Sequence, residues 1–78
     1  MNDLEIGDLV VFNKNVKSIQ KFLNSGGEDG LYCIQNIGGK VKNGFNITAE
    51  HTKTKINYAF IEEELIRVTK VTHPEYFL

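Results

Sequence analysis

Cysteine is almost missing from this chain, and Cys33 is its only representative. No intrachain disulfide can form, one chain cannot assemble a cysteine-based metal site, and a reducing cytoplasm is the natural compartment. Proline is equally scarce. Pro74 stands alone near the C-terminus, and no proline-rich linker, internal repeat or low-complexity tract precedes it. No apolar stretch approaches the ~20 residues that span a bilayer, and the opening Met1-Asn2-Asp3-Leu4-Glu5 has neither a basic region nor an apolar run. The expectation is a cytoplasmic protein that is neither exported nor membrane-spanning. An excess of positive charge is also lacking. Nine basic and ten acidic residues leave a net charge of -1, which withholds the global attraction that nucleic-acid binders usually carry.

What is present is ordinary globular material, 41% apolar and 24% charged, a balance that argues against disorder. At 78 residues the chain supports one domain, residues 1–78, and buries only roughly 60% of its unfolded surface. Stability per residue places such a domain at about 4 to 12 kcal/mol, leaving little room for buried catalytic machinery.

The hydrophobic pattern predicts a mostly β fold with one short inserted helix. Gly7-Asp8 opens Leu9-Val10-Val11-Phe12, an apolar run suited to a first strand buried on both faces. Val16, Ile19, Phe22 and Leu23 then recur at helical spacing, which predicts an amphipathic helix over 16–24, capped by Asn15 and stopped by Ser25-Gly26-Gly27. Residues 31–37 read as the second strand. Gly38-Gly39 and Asn43-Gly44 each offer the positive φ angles of the next reversal, and the sequence leaves both open. Phe45, Ile47 and Ala49 alternate with polar residues in a third strand, His51 to Lys53 form a polar turn, and Ile56, Tyr58 and Phe60 alternate again in a fourth. Glu62-Glu63-Glu64 suit one helical turn with its positive N-terminal end, and the last strand begins at Ile66.

Three segments carry a resemblance: Gly7-Asp8-Leu9-Val10-Val11-Phe12, Gly30-Leu31-Tyr32-Cys33-Ile34 and Phe60-Ile61-Glu62-Glu63-Glu64-Leu65-Ile66-Arg67-Val68. Their order resembles the small SH3-like barrel proteins encoded by phages, prophages and low-GC Gram-positive bacteria. The resemblance implies a small five-stranded barrel over roughly residues 5 to 70, and a host cytoplasm if the chain is phage-encoded. The helix between the first two strands departs from the plainest barrels, and an insertion there is a reasonable place for function.

No residue forms a recognisable catalytic, metal or cofactor signature, so the expectation is a protein that is not an enzyme and takes no cofactor. His51 and His73 fall in polar segments and read as exposed turn residues. Cys33 reads as a small hydrophobe inside a strand, and the Glu62-Glu63-Glu64 run as a solvated face. Gly38-Gly39-Lys40 lacks the spacing of a phosphate-binding loop.

Two surfaces remain for partners. Thr72-His73-Pro74-Glu75-Tyr76-Phe77-Leu78 ends the chain on three apolar residues, although termini are usually polar. This tail, 72–78, either folds back over its own domain or docks on another chain. Tyr76, Phe77 and Leu78, with Lys17 and Lys21 of the helix, are the candidate protein-binding residues, because aromatic anchors dominate interfaces. Lys40 and Lys42, with Lys53 and Lys55, are the alternative: converging in space they would track a phosphate backbone, with Tyr32 or Tyr58 for base stacking. The leading expectation is a non-enzymatic protein-binding module, of the kind that phages use to inhibit host or defence proteins. The alternative is a nucleic-acid-binding accessory domain. A structural oligomer, assembled through the tail or the edge strands, comes third.

Overall fold

The computed structural model describes residues 4–77. Five strands, β1 (Leu9–Phe12), β2 (Tyr32–Val41), β3 (Gly44–His51), β4 (Asn57–Ile61) and β5 (Leu65–Arg67), form one antiparallel sheet in the order β4-β3-β2-β1-β5. One helix, α1 (Lys17–Asn24), joins β1 to β2, and 3₁₀ turns occupy Glu62–Glu64 and Pro74–Phe77. The mostly β expectation with a single inserted helix holds. The sheet does not close into a barrel, however. β4 and β5 stand at its two ends, and the three-residue β5 pairs along β1 while the chain between them turns through Glu62–Glu64.

Alternation on the strands builds the core. Val10, Phe12, Tyr32, Ile34, Ile47, Ala49, Phe60 and Leu65 turn to one side of the bent sheet, and Ile19 of α1 enters the same cluster. Phe12 is an aromatic hub, with ring centroids of Phe22, Tyr32 and Phe60 at 5.6, 5.0 and 5.1 Å. Mostly edge-on or tilted rings at these distances add to the gain from burying area. The helix therefore earns its stability from packing its apolar stripe and not from its caps. Its N-cap is Val16, which makes no side-chain cap bond, and Asn15 instead gives its N–H to Asn13 Oδ1 at 3.2 Å. The C-terminus closes as the glycines predict. Gly26, at φ +92°, donates to the Leu23 carbonyl at 3.1 Å while Gly27 donates to the Phe22 carbonyl at 2.8 Å, the paired bonds of a Schellman closure.

The reversal between β2 and β3 is made by Lys42 and Asn43, flanked by the Val41–Gly44 pair. Gly38 and Gly39 lie inside β2, where the register shifts between Ile37 and Lys40, and so serve a bulge and not the turn. Gly44 sits at φ +124°, and a Cβ there would stand 2.6 Å from the Glu62 side chain. Glu62 Oε1 in turn accepts the Phe45 N–H at 3.3 Å.

The acidic run is less solvated than its sequence implies. Glu63 is exposed, but Glu64 is buried, accepting the Ile61 N–H at 2.6 Å and a hydrogen bond from the Ser18 hydroxyl. One carboxylate thus ties α1 to the turn before β5. Burial is tolerable here because both oxygens have donors.

Candidate functional site: two clefts flanking Tyr76

The end of β1, the start of β2 and the end of β3 meet at one pole of the sheet, because Val10 pairs with Tyr32 and Tyr32 with His51. Loop residues 28–31, the turn after β3 and the C-terminal 3₁₀ turn crowd together there. Between them lie two clefts, of about 280 and 400 Å³. Asp29, Gly30 and Tyr76 line both. Val11, Phe12, Lys14 and His73 complete the smaller, and Glu28, Leu31, His51, Thr52 and Lys53 the larger.

The tail reaches this pole through its own hydrogen bonds. Thr69 and Thr72 exchange backbone N–H to hydroxyl bonds at 3.1 Å in both directions, and the His73 N–H bonds the Thr69 carbonyl at 2.8 Å. Tyr76 then donates its N–H to the His73 carbonyl at 3.2 Å, and the two rings lie 6.0 Å apart. The tail so folds back over its own domain, yet Tyr76 and Phe77 stay 42% and 40% exposed. Leu78, named with them from the sequence, lies outside the described residues.

His51 organises the pole, and its position corrects the sequence expectation of an exposed turn residue. It is only 3% exposed. Its Nδ1 accepts the Lys53 and Thr54 N–H groups at 3.1 and 3.2 Å, so that nitrogen is unprotonated. Nε2 must then carry the hydrogen, which it donates to the Asp29 carbonyl at 2.9 Å. The ring joins loop 28–31 to the turn after β3. Gly30 makes the approach possible: at φ +118° it accepts a backbone shape that other residues resist, and a Cβ would stand 3.2 Å from His51 Nε2. Tyr32 holds the same loop from below, donating its hydroxyl to the Glu28 carbonyl at 2.5 Å. Burial pushes its phenol pKa up to about 12.

Asp29 joins the two clefts electrostatically. Its Oδ2 lies 2.7 Å from Lys14 Nζ, and its Oδ1 accepts the Gly30 N–H at 2.8 Å. The hydrogen bond from Lys14 chiefly holds the Asp29 carboxyl below its usual range, against a smaller opposing effect of partial burial. The same bond raises Lys14 above its ordinary value. No family model, curated protein or solved structure matches this chain.

The depressed Asp29 pKa has a signed consequence. A carboxylate whose pKa is lowered in the folded state contributes stability that is complete above the unfolded value, about 3.9, and is lost as pH falls through the folded value. Asp29→Asn should therefore lower the urea midpoint slightly at neutral pH, with the difference from wild type vanishing in acid. The effect is small because both side chains are largely in water. A difference that persists unchanged in acid would assign the effect to something other than this ion pair.

Other residues named from the sequence fall elsewhere. Lys17 and Lys21 are exposed on α1 and line neither cleft. Lys40 and Lys42 sit near the β2–β3 turn, Lys53 and Lys55 in the turn after β3. The two pairs stand at opposite ends of β3, about 23 Å apart along the strand for its seven steps of ~3.3 Å, and the structure does not bring them together. Lys14 and Lys53 are the cations that line the clefts. Cys33 is half-buried, with Sγ 3.7 Å from the Gly7 carbonyl. Among the described residues no group of three or more His, Cys, Asp or Glu is placed to hold a metal, and no helix is long and apolar enough to cross a membrane.

Proposed function

We propose that this chain is a protein-binding module that works by occupancy and not by chemistry, taking a segment of its partner across Tyr76. The observation that carries the reading is the half-exposed Tyr76 ring standing between two clefts, each with room for roughly one or two large side chains. Aromatic side chains anchored on one side and exposed on the other supply contact area at low entropic cost, and they dominate interface energies. Phe77, equally exposed, extends the apolar surface.

The charge of the pole favours protein over nucleic acid. Lys14 and Lys53 are accompanied by Glu28 and Asp29, so a phosphate backbone would meet carboxylates as well as cations. Within this reading the fold is SH3-like and open: β1 lies between β2 and β5, and a 3₁₀ turn leads into β5. A small inhibitor of phage type is the use that such a module fits, since it needs one complementary surface and no reaction.

Affinity isolation of the tagged chain from a bacterial lysate, with and without nuclease, identifies the ligand, and titration of the recovered protein tests the site. Tyr76→Ala should weaken binding about tenfold or more while leaving the thermal midpoint nearly unchanged, because Tyr76 is outside the core cluster. Unaltered affinity would remove Tyr76 from the interface. Nuclease-sensitive recovery of nucleic acid would replace the protein reading with the lysine-based one.

A further inference from the structure

We propose that Asn43 is a site of self-modification: the Gly44 backbone nitrogen closes on the Asn43 side-chain amide, and water opens the resulting ring to aspartate or isoaspartate. This goes beyond the Tyr76 reading and does not depend on it.

The chemistry needs only the chain and water. The Gly44 nitrogen, having given up its proton, attacks Asn43 Cγ. A Cγ–N bond forms, the Cγ–Nδ2 bond breaks, and the side-chain nitrogen leaves as ammonia with that proton. The ring so formed is a cyclic imide, in which the Gly44 nitrogen is bonded both to Asn43 Cγ and to the Asn43 main-chain carbonyl carbon. Water then adds at one of these two carbonyls. Cleavage at Cγ gives aspartate. Cleavage at the main-chain carbonyl gives isoaspartate, whose backbone runs through the side chain and gains one methylene carbon. Nothing is oxidised or reduced.

A side chain on the residue after asparagine crowds this closure, and glycine has none. Asn43 is the only asparagine followed by glycine, and Asn24, followed by Ser25, comes next. The fold requires the glycine. Gly44 sits at φ +124°, and a Cβ there would stand 2.6 Å from the Glu62 side chain, so the position cannot take a bulkier residue that would slow the reaction. The fold also leaves the turn able to move. Beyond the bulge at Gly38 and Gly39, the hairpin holds only two pairs, Lys40 with Phe45 and Val41 with Gly44. Val41, Lys42 and Asn43 are exposed and lie outside the core cluster, and the Asn43 amide has no hydrogen-bond partner among the described residues. Two pairs at the end of a ladder open locally without global unfolding, which frees the Gly44 nitrogen. Asn24 is placed differently, as the last residue of α1 with the Ser25 N–H held by the Lys21 carbonyl at 3.0 Å.

Either product adds a negative charge to a chain of net charge -1, next to the glycine that Glu62 packs against. Isoaspartate does more. Its extra methylene lengthens the reversal, shifts Gly44 against Glu62 and withdraws the Phe45 N–H from Glu62 Oε1, which it meets at 3.3 Å. The hairpin then loses its tie to the 3₁₀ turn before β5.

Timed incubation of the full chain in mildly alkaline buffer is the test, read by peptide mass mapping, by released ammonia and by enzymatic methylation of isoaspartate. Asn43 should convert before any other asparagine, faster as pH rises, and within about tenfold of its rate in the urea-unfolded chain. Asn43→Gln, which would have to close a larger ring, should abolish the early conversion and keep the thermal midpoint. The isoaspartyl form, separated by ion exchange, should unfold at lower urea than Asn43→Asp. First conversion at another asparagine overturns the proposal. So does a native rate about a hundredfold or more below the unfolded one, since the fold would then protect the site. Equal urea midpoints would overturn the loosening of the hairpin.

Discussion

Tyr32→Ala is expected to lower stability by about 3 to 5 kcal/mol, enough to unfold much of the population of a domain whose total is about 4 to 12 kcal/mol. Tyr32 is fully buried, and its ring lies 5.0 Å from Phe12, 5.5 Å from Phe60 and 4.9 Å from His51. Truncation empties the centre of the aromatic cluster and releases the Glu28 carbonyl together with the loop above it. Tyr32→Phe keeps the ring and loses only the hydrogen bond, so about 1 kcal/mol is expected. Urea unfolding separates the two, and an alanine variant no weaker than the phenylalanine variant would place the core elsewhere. The phenol also sets the alkaline limit. With its pKa raised to about 12 against about 10 in the unfolded chain, its contribution is complete below pH ~10 and is lost as pH climbs through the raised value. The phenylalanine variant should lack that part of the alkaline decline.

His51→Leu carries the second large effect, about 2 to 3 kcal/mol. Leucine fills much of the ring's volume but offers nothing to the Lys53 and Thr54 N–H groups or to the Asp29 carbonyl. Hydrogen exchange at those two amides should quicken well before global unfolding, and nitrogen NMR of the wild type should find the neutral ring with its hydrogen on Nε2. Unchanged exchange would mean that the ring only fills space. Because His51 lines the larger cleft and fixes loop 28–31, the same substitution should weaken partner binding even in the fraction that stays folded. Tyr32 and His51 are in contact, so their effects will not add.

His51 also shows where the sequence could have been followed further. The inward series Ile47, Ala49 continues with period two to residue 51, and the side chain there is buried. The polar character of histidine argued for a turn, whereas the strand's geometry governs where the side chain points. Glu64 is a similar case. A run of three glutamates reads as solvated, and only the approach of Ser18 on α1, distant in sequence, supplies the donor that lets one of them be buried.

The sequence by itself determined the elements: five β segments, a helix whose apolar stripe and glycine stop are local properties, and an acidic turn before the last strand. These follow from the periodicity and the turn chemistry of neighbouring residues, which no distant contact is needed to define. It also singled out Tyr76 and Phe77 as unusual. Only the tertiary structure decided that Lys42 and Asn43 make the β2–β3 reversal while Gly38 and Gly39 form a bulge, that the sheet stays open, and that Lys14, Asp29, His51 and Tyr76 share one pole. Those outcomes depend on register and on the pairing of segments far apart in the chain. The energies that set register come from side chains meeting across strands, and one chain read in order does not contain those meetings.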